Sequence, residues 1–143
     1  MENCGVLAFL LCRRATVDGN GSVTLHDLFD GIVIPQPGKK RLPGFRVARG
    51  PSQIFYAFYK VVAYQQCRVA LKVLDPRGAE IPGNWRDSLT PQAPSIWQAI
   101  WALSTSLFQV PGDYQLTLMQ ENDYPTALPF PLASTSLLVV GEE

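Results

Sequence analysis

A chain of 143 residues, 47% hydrophobic and 17% charged, is long enough to bury one core and is neither disordered nor fibrous. Its 12 prolines and 11 glycines recur every few residues, which excludes long helices and predicts many short strands joined by turns. The formal charge is zero, yet every Lys and Arg lies at or before Arg86, whereas Asp87–Glu143 holds six acids and no base. Such a bipolar chain associates head to tail if its two ends segregate in space; a sandwich that interleaves strands from both ends cancels the dipole instead.

Cys4–Arg13 opens with a continuous apolar run of strand length, the pattern of a central strand covered on both faces. It does not read as a secretory leader. Glu2 stands where a basic region belongs, Leu11 rather than a small residue precedes Cys12, and Arg13-Arg14 follow at once. No apolar run approaches the roughly 20 residues of a spanning helix, so no membrane role and a cytoplasmic location are expected. Cys4, Cys12 and Cys67 are an odd number without metal-ligand spacing, as suits buried free thiols in a reducing compartment.

Asp18-Gly19-Asn20-Gly21 is a hairpin signal. It fails as a calcium loop, because Val23 occupies the position that needs glycine and no glutamate closes the loop. Ser22–Leu25 returns as a strand, and Leu28–Ile34 continues it past a bend at Gly31. Pro35–Gly50 reads as a loop with a short strand at Phe45–Val47. It concentrates Lys39, Lys40, Arg41, Arg46 and Arg49 with no acid among them, a candidate anion or nucleic-acid contact in a domain that is not basic overall.

The pair of core strands follows. In Ile54–Tyr64, Tyr56, Phe58, Lys60, Val62 and Tyr64 share one face and Phe55, Ala57, Tyr59, Val61 and Ala63 the other. Lys60 is the only charge on either face, so something must cover the second: the Gly83–Pro94 segment, or a partner. Cys67–Leu74 is the next strand, and Asp75-Pro76-Arg77-Gly78 closes it as a tight turn. A short strand at Ala79–Ile81 precedes a loop carrying Trp85, Arg86 and Asp87.

Ser95–Phe108 admits two readings, helical through Ile96, Ile100, Leu103 and Leu107 or extended through Trp97, Ala99, Trp101 and Leu103; its β-rich neighbours favour the extended one. Val110-Pro111-Gly112-Asp113 turns into a strand with Tyr114, Leu116 and Leu118 on one face, like the corner that opens a late strand of immunoglobulin-like sandwiches. Pro125–Pro131 is too rich in proline for an inner strand, Leu137–Val140 is the last strand, and residues 141–143 are an acidic tail.

The succession "VDGNGSVTLHDLFDGI", "LDPRG", "FQVPGDYQLTL" and "LLVV" resembles a family of small bacterial proteins of uncharacterised function built on an immunoglobulin-like β-sandwich. The resemblance implies a fold and a bacterial, cytoplasmic origin, and transfers no activity and no site residues. The expected fold is therefore all-β: a single-domain antiparallel β-sandwich over residues 1–143, immunoglobulin-like, with about seven to nine strands.

Chemistry is poorly represented. His26 is the only histidine; with Asp27 and Asp30 it suggests a metal site and with Ser22 part of a triad, but a lone histidine on an alternating strand reads better as a surface residue. Gly19 and Gly21 lead into a strand, so the helix N-terminus that cradles phosphate is missing. No catalytic residue, metal or cofactor is expected, and the chain reads as no enzyme. Binding is the surviving class. The leading expectation is a protein-interaction module, an adaptor or subunit of a larger bacterial assembly, with a protein partner or a homo-oligomer expected and Tyr56, Phe58, Tyr64 and Trp85 as candidate partner surface. The alternatives are the anion site at residues 39–49 and a carbohydrate-binding platform of Trp85, Trp97, Trp101, Tyr56 and Tyr64.

Overall fold

The computed structural model describes residues 3–29, 31–35, 47–48, 54–121 and 128–142, and among these the chain is almost entirely extended. Eleven strands run in the order β1 (Cys4–Val17), β2 (Val23–Leu28), β3 (Gly31–Pro35), β4 (Val47–Ala48), β5 (Ile54–Ala63), β6 (Cys67–Leu74), β7 (Glu80–Ile81), β8 (Arg86–Leu89), β9 (Ser95–Ser104), β10 (Gly112–Glu121) and β11 (Phe130–Glu142). They form two sheets facing each other across one core. The first is four-stranded, in the order β2-β1-β5-β9; the second is seven-stranded, β4-β3-β11-β10-β6-β7, with β8 also paired to β6. Ladders are antiparallel except at one margin, where β11–β3 and β3–β4 pair in parallel. The count exceeds seven to nine partly because β4 and β7 have only two residues each.

Local chemistry settles the turns. At the β1–β2 hairpin, Asp18 N–H donates to the Ser22 carbonyl at 2.8 Å, Ser22 N–H donates to Asn20 Oδ1 at 3.1 Å, and Gly21 takes a φ of 88°. Asp75 closes its own turn: its Oδ1 accepts from Arg77 N–H at 2.8 Å and Ala79 N–H at 2.9 Å. Before β10, the Tyr114 hydroxyl donates to the Val110 carbonyl at 2.8 Å and accepts from Val110 N–H at 3.2 Å, the corner that the sequence signals. Ser95–Ser104 is extended, and only Thr105–Leu107 coils into a 3-10 turn.

Four expectations change. Leu28–Ile34 is not one strand, because the chain leaves the first sheet after Leu28 and enters the second at Gly31. Phe29 pivots this crossing, buried with its ring 5.1 Å from Phe55 in an edge-to-face contact. The first strand is not covered on both faces: Leu7 and Leu10 are 53% and 41% exposed. Pro131 does enter an inner strand, since β11 lies between β10 and β3; it pairs with Met119 just past a register shift, where a missing N–H is tolerated. Gly141 and Glu142, expected as tail, continue β11 beside Ile34 and Pro35.

The core lies between the sheets. Phe55, Ala57, Tyr59, Val61 and Ala63 of β5 are all buried and face Val69, Leu71, Val73, Leu116, Leu118, Leu137 and Val139 of the second sheet. Each large apolar side chain so removed from water stabilises by roughly 1.5–3 kcal/mol. Rings run in series through Phe29, Phe55, Phe108 and Tyr114, with successive centroids 5.1, 5.6 and 4.9 Å apart.

Two polar contacts cross this apolar layer. The hydroxyl of Tyr59 on β5 donates to Asp87 Oδ2 on β8 at 2.6 Å. The buried Gln120 of β10 accepts, through Oε1, from Asn3 N–H at 2.8 Å and from Cys4 Sγ at 3.6 Å. Directional bonds of this kind, the one to the Asp87 carboxylate charge-assisted, fix how one sheet sits on the other, which apolar contact alone does not. Burial, followed by the bond to Asp87, pushes the Tyr59 hydroxyl far above the usual tyrosine range.

Two predictions follow from the core and its turns. Tyr59→Phe leaves the half-buried Asp87 carboxylate without its donor and should destabilise the fold by about 1–3 kcal/mol at pH 7. Because folding raises this pKa, the stabilisation is complete below about pH 10, where an unfolded tyrosine keeps its proton, and declines as pH rises further. Urea midpoints at neutral and alkaline pH should therefore fall more steeply for the parent than for Tyr59→Phe; equal slopes would show that this hydroxyl is not held neutral. Gly112 has a φ of 139°, and a Cβ there would sit 2.7 Å from Pro76 Cγ. Gly112→Ala should cost about 1–3 kcal/mol in the same urea assay, and an unchanged midpoint would refute the clash.

Candidate functional site

The pleat that turns alternate residues of β5 into the core turns the others outward. With the register β1–β5–β9, the outer face of the first sheet carries Ala8, Leu10 and Cys12 from β1, Tyr56, Phe58, Lys60 and Val62 from β5, and Ile96, Gln98, Ile100 and Ala102 from β9. Leu7 joins it at the bulge between Val6 and Ala8, and Tyr64 just beyond β5. Among these residues Lys60 is the only charge; farther along β1 the same alternation carries Arg14, paired with His26 of β2. Leu7, Leu10, Tyr64 and Ile96 are 53%, 41%, 53% and 61% exposed.

The second sheet behaves differently. Its outer face presents Arg68 and Lys72 from β6, Gln115, Thr117 and Glu121 from β10, and Ser134 and Ser136 from β11. These side chains bond one another: Thr117 Oγ1 and Ser134 Oγ lie 3.1 Å apart, Gln115 Nε2 donates to Ser134 Oγ, and Arg86 Nε lies 3.0 Å from Glu121 Oε1. A solvated antiparallel sheet is expected to look like this one. The apolar outer face of the first sheet is the anomaly of the molecule.

Part of that face is covered by the chain itself. Gln98 Nε2 donates to the Gly21 carbonyl at 2.7 Å, which holds the tip of the β1–β2 hairpin across the sheet to β9. Between tip and sheet lies an open cleft of ≈ 520 Å³ bounded by Asn20, Gly21, Ser22, Val23, Leu25, Phe58, Lys60, Ile96 and Gln98. Phe58 is only 6% exposed. The covering element is thus this hairpin and not Gly83–Pro94. That segment instead contributes β8 to the second sheet, and its Trp85 indole N–H donates to the Ala102 carbonyl at 3.0 Å, closing one side of the sandwich.

The sequence-derived candidates divide accordingly. Tyr56, Phe58 and Tyr64 share the outer face, but Phe58 is buried, Tyr56 is half-buried and only Tyr64 is freely exposed. Trp85 is on a different part of the molecule, half-buried against the core. The aromatic platform is not assembled: Trp97 and Trp101 point between the sheets, Trp101 with its ring 4.8 Å from Tyr59. Lys39, Lys40, Arg41, Arg46 and Arg49 lie outside the described residues, as does Asp30. Leu10 and Ile96 are exposed contributors that the residue types did not single out; only the period-two register of β1 and β9 against β5 reveals them.

Groups with reactive potential are tied into structure. His26 is half-buried with Nε2 3.3 Å from Thr16 Oγ1, and Asp27 faces Arg14 at 3.9 Å in an exposed pair. Cys4, Cys12 and Cys67 are all buried, and burial pushes the Cys12 thiol up, which opposes thiolate formation. Among the described residues no group of three or more His, Cys, Asp or Glu side chains gathers to hold a metal. Among them, too, no helix is long and apolar enough to cross a membrane.

No family model matches the chain, and no curated protein matches it in sequence. The fold does have counterparts among solved structures. The crystal structure of the C-terminal domain of wzt aligns with a TM-score of 0.53 over 100% of this chain and 75% of that one, at 11% sequence identity. At that identity the likeness is one of fold: the chain is a single β-sandwich of the kind that domain also adopts.

Proposed function

We propose that this chain is a non-enzymatic protein-interaction module, an adaptor or subunit of a larger bacterial assembly, that docks its partner on the outer face of the first sheet. The observation that carries this reading is the asymmetry of the sandwich: an outer face with hydrogen-bonded polar side chains on one sheet, and on the other an apolar patch across Ala8–Cys12 of β1, β5 and β9 in which Lys60 is the one charge among the described residues. A bacterial source rests on the sequence resemblance alone. A cytoplasmic location rests on that resemblance and on an odd number of cysteines without metal-ligand spacing.

Magnitudes indicate how much of the face a partner must use. Each of Leu7, Leu10, Tyr64 and Ile96 contributes at most about 1.5–3 kcal/mol when taken from water. Association itself costs about 4–15 kcal/mol. One or two anchors are insufficient; a partner has to engage the face from β1 across to β9. The cleft beneath the hairpin tip offers a pocket for one protruding side chain, with Lys60 and Gln98 at its rim to orient an acceptor.

The test is site-specific photo-crosslinking in cells. A photoreactive residue at Leu10 or Tyr64 should yield one discrete adduct with a different protein, and the same residue at Thr117 or Ser136 none. Leu10→Glu should remove the adduct from position 64 while moving the urea midpoint by no more than about 0.5 kcal/mol equivalent. Adducts from all four positions alike, or from none, would overturn the reading; an adduct only with a second copy of the chain would assign the face to self-association instead.

A further inference from the structure

Sheet edges are where unpaired backbone groups invite another strand, and most edges here are blunted. β4 and β7 are two residues long. β8 is four residues long and carries Arg86 and Asp87. β2 is broken by Asp27, whose φ of 57° lies in the left-handed region, and carries His26 besides. β9 is the exception. Its ten residues, SIWQAIWALS, contain no charge, proline or glycine, and it pairs with β5 in an unbroken register.

Which groups β9 leaves open can be worked out. Tyr64 N–H donates to the Asn3 carbonyl at 2.8 Å, so even-numbered residues of β5 direct their backbone groups to β1 and odd-numbered ones to β9. The register Ala57↔Trp101, Tyr59↔Ala99 and Val61↔Trp97 then commits the odd residues of β9 to β5. The N–H and C=O of Ile96, Gln98 and Ile100 point the other way, into the free edge. Ala102 agrees: its carbonyl points outward and accepts the Trp85 indole N–H at 3.0 Å. Among the described residues Trp85 caps the edge at Ala102 and none pairs with Ser95–Trp101 there, a stretch whose midpoint is Gln98.

We infer that this edge pairs with β9 of a second copy, antiparallel about a two-fold axis through Gln98. The stretch is self-complementary in that register. On the outer face Ile96 meets the partner's Ile100, and Gln98 meets the partner's Gln98. On the inner face the large Trp97 meets the small side chain of the partner's Ala99. No like charges come together, because β9 has none. Two four-stranded sheets become one, and their apolar outer faces become continuous. A ladder this short buries far less than the roughly 1,600 Å² of a standard stable interface, so the dimer forms only at high concentration unless another contact supports it. This assignment concerns the edge of β9 and does not rest on a foreign partner docking on the face.

Disulfide trapping tests it. The two-fold puts Gln98 opposite itself in a hydrogen-bonded pair with Cα atoms about 5.5 Å apart, within the range of about 4.4–6.8 Å that a disulfide spans. Under mild oxidation Gln98→Cys should give a disulfide dimer, Ile100→Cys alone should not, and the double variant Ile96→Cys/Ile100→Cys should. Sedimentation velocity of the unmodified chain should shift from 15.8 kDa towards twice that mass as concentration rises, and Ile100→Pro should abolish the shift. Proline at 100 removes only an outward N–H and leaves the β5 ladder intact. An unmodified chain that stays monomeric at every concentration would overturn the proposal, as would Ile100→Cys crosslinking as readily as Gln98→Cys. A complex with a foreign strand that Ile100→Pro disrupts, in a chain that never self-associates, would overturn it too.

Discussion

Strand β5 can lie in only one register, and much of the molecule follows from that. Its alternate side chains Phe55, Ala57, Tyr59, Val61 and Ala63 are sealed against the second sheet, so a slip of one residue would put Lys60 in the core and Tyr59 in water. β1 and β9 are hydrogen-bonded to its two sides, and their registers are set by it. The bond from Tyr59 to Asp87 then ties this central strand to β8 of the opposite layer. A single pleated strand thereby decides which residues make the core, which make the outer face, and which backbone groups reach the free edge of β9.

The same constraint explains why the molecule has two unlike surfaces. The second sheet satisfies its exposed side through serine, threonine, glutamine and charged side chains that bond one another. The first sheet exposes aliphatic and aromatic groups and shields a part of them by bending its own hairpin inward, held by one amide at Gln98. Shielding is incomplete at Leu7, Leu10, Tyr64 and Ile96. An apolar surface left standing in water costs free energy unless something removes it, which is the physical content of reading the face as a contact surface.

How much of this the residues announced depends on the range of the interaction. Asp18–Gly21, Asp75–Gly78 and the Val110–Tyr114 corner were legible because their hydrogen bonds join neighbours along the chain. The alternation in Ile54–Tyr64 correctly grouped Tyr56, Phe58 and Tyr64 on one face, since a period of two is a local property. What remained hidden is tertiary. Alternation looks the same in either sheet, so nothing local says that the chain changes layers at Phe29 and again between Tyr64 and Cys67. Nor does it say that the hairpin tip, rather than Gly83–Pro94, reaches Phe58, or that Trp85 turns towards Ala102 and away from the face it was grouped with.

The parallel ladder between β3 and β11 carries a kinetic implication. Gly31–Pro35 finds its neighbour only in Leu138–Glu142, at the other end of the sequence. During synthesis the earlier segment therefore has to wait for all the intervening strands before that ladder can close. Non-local pairing of this kind makes acquisition of the native state slow, because loop entropy must be lost before the contact is gained. Leu138–Glu142 are thus the residues that latch the margin of the second sheet.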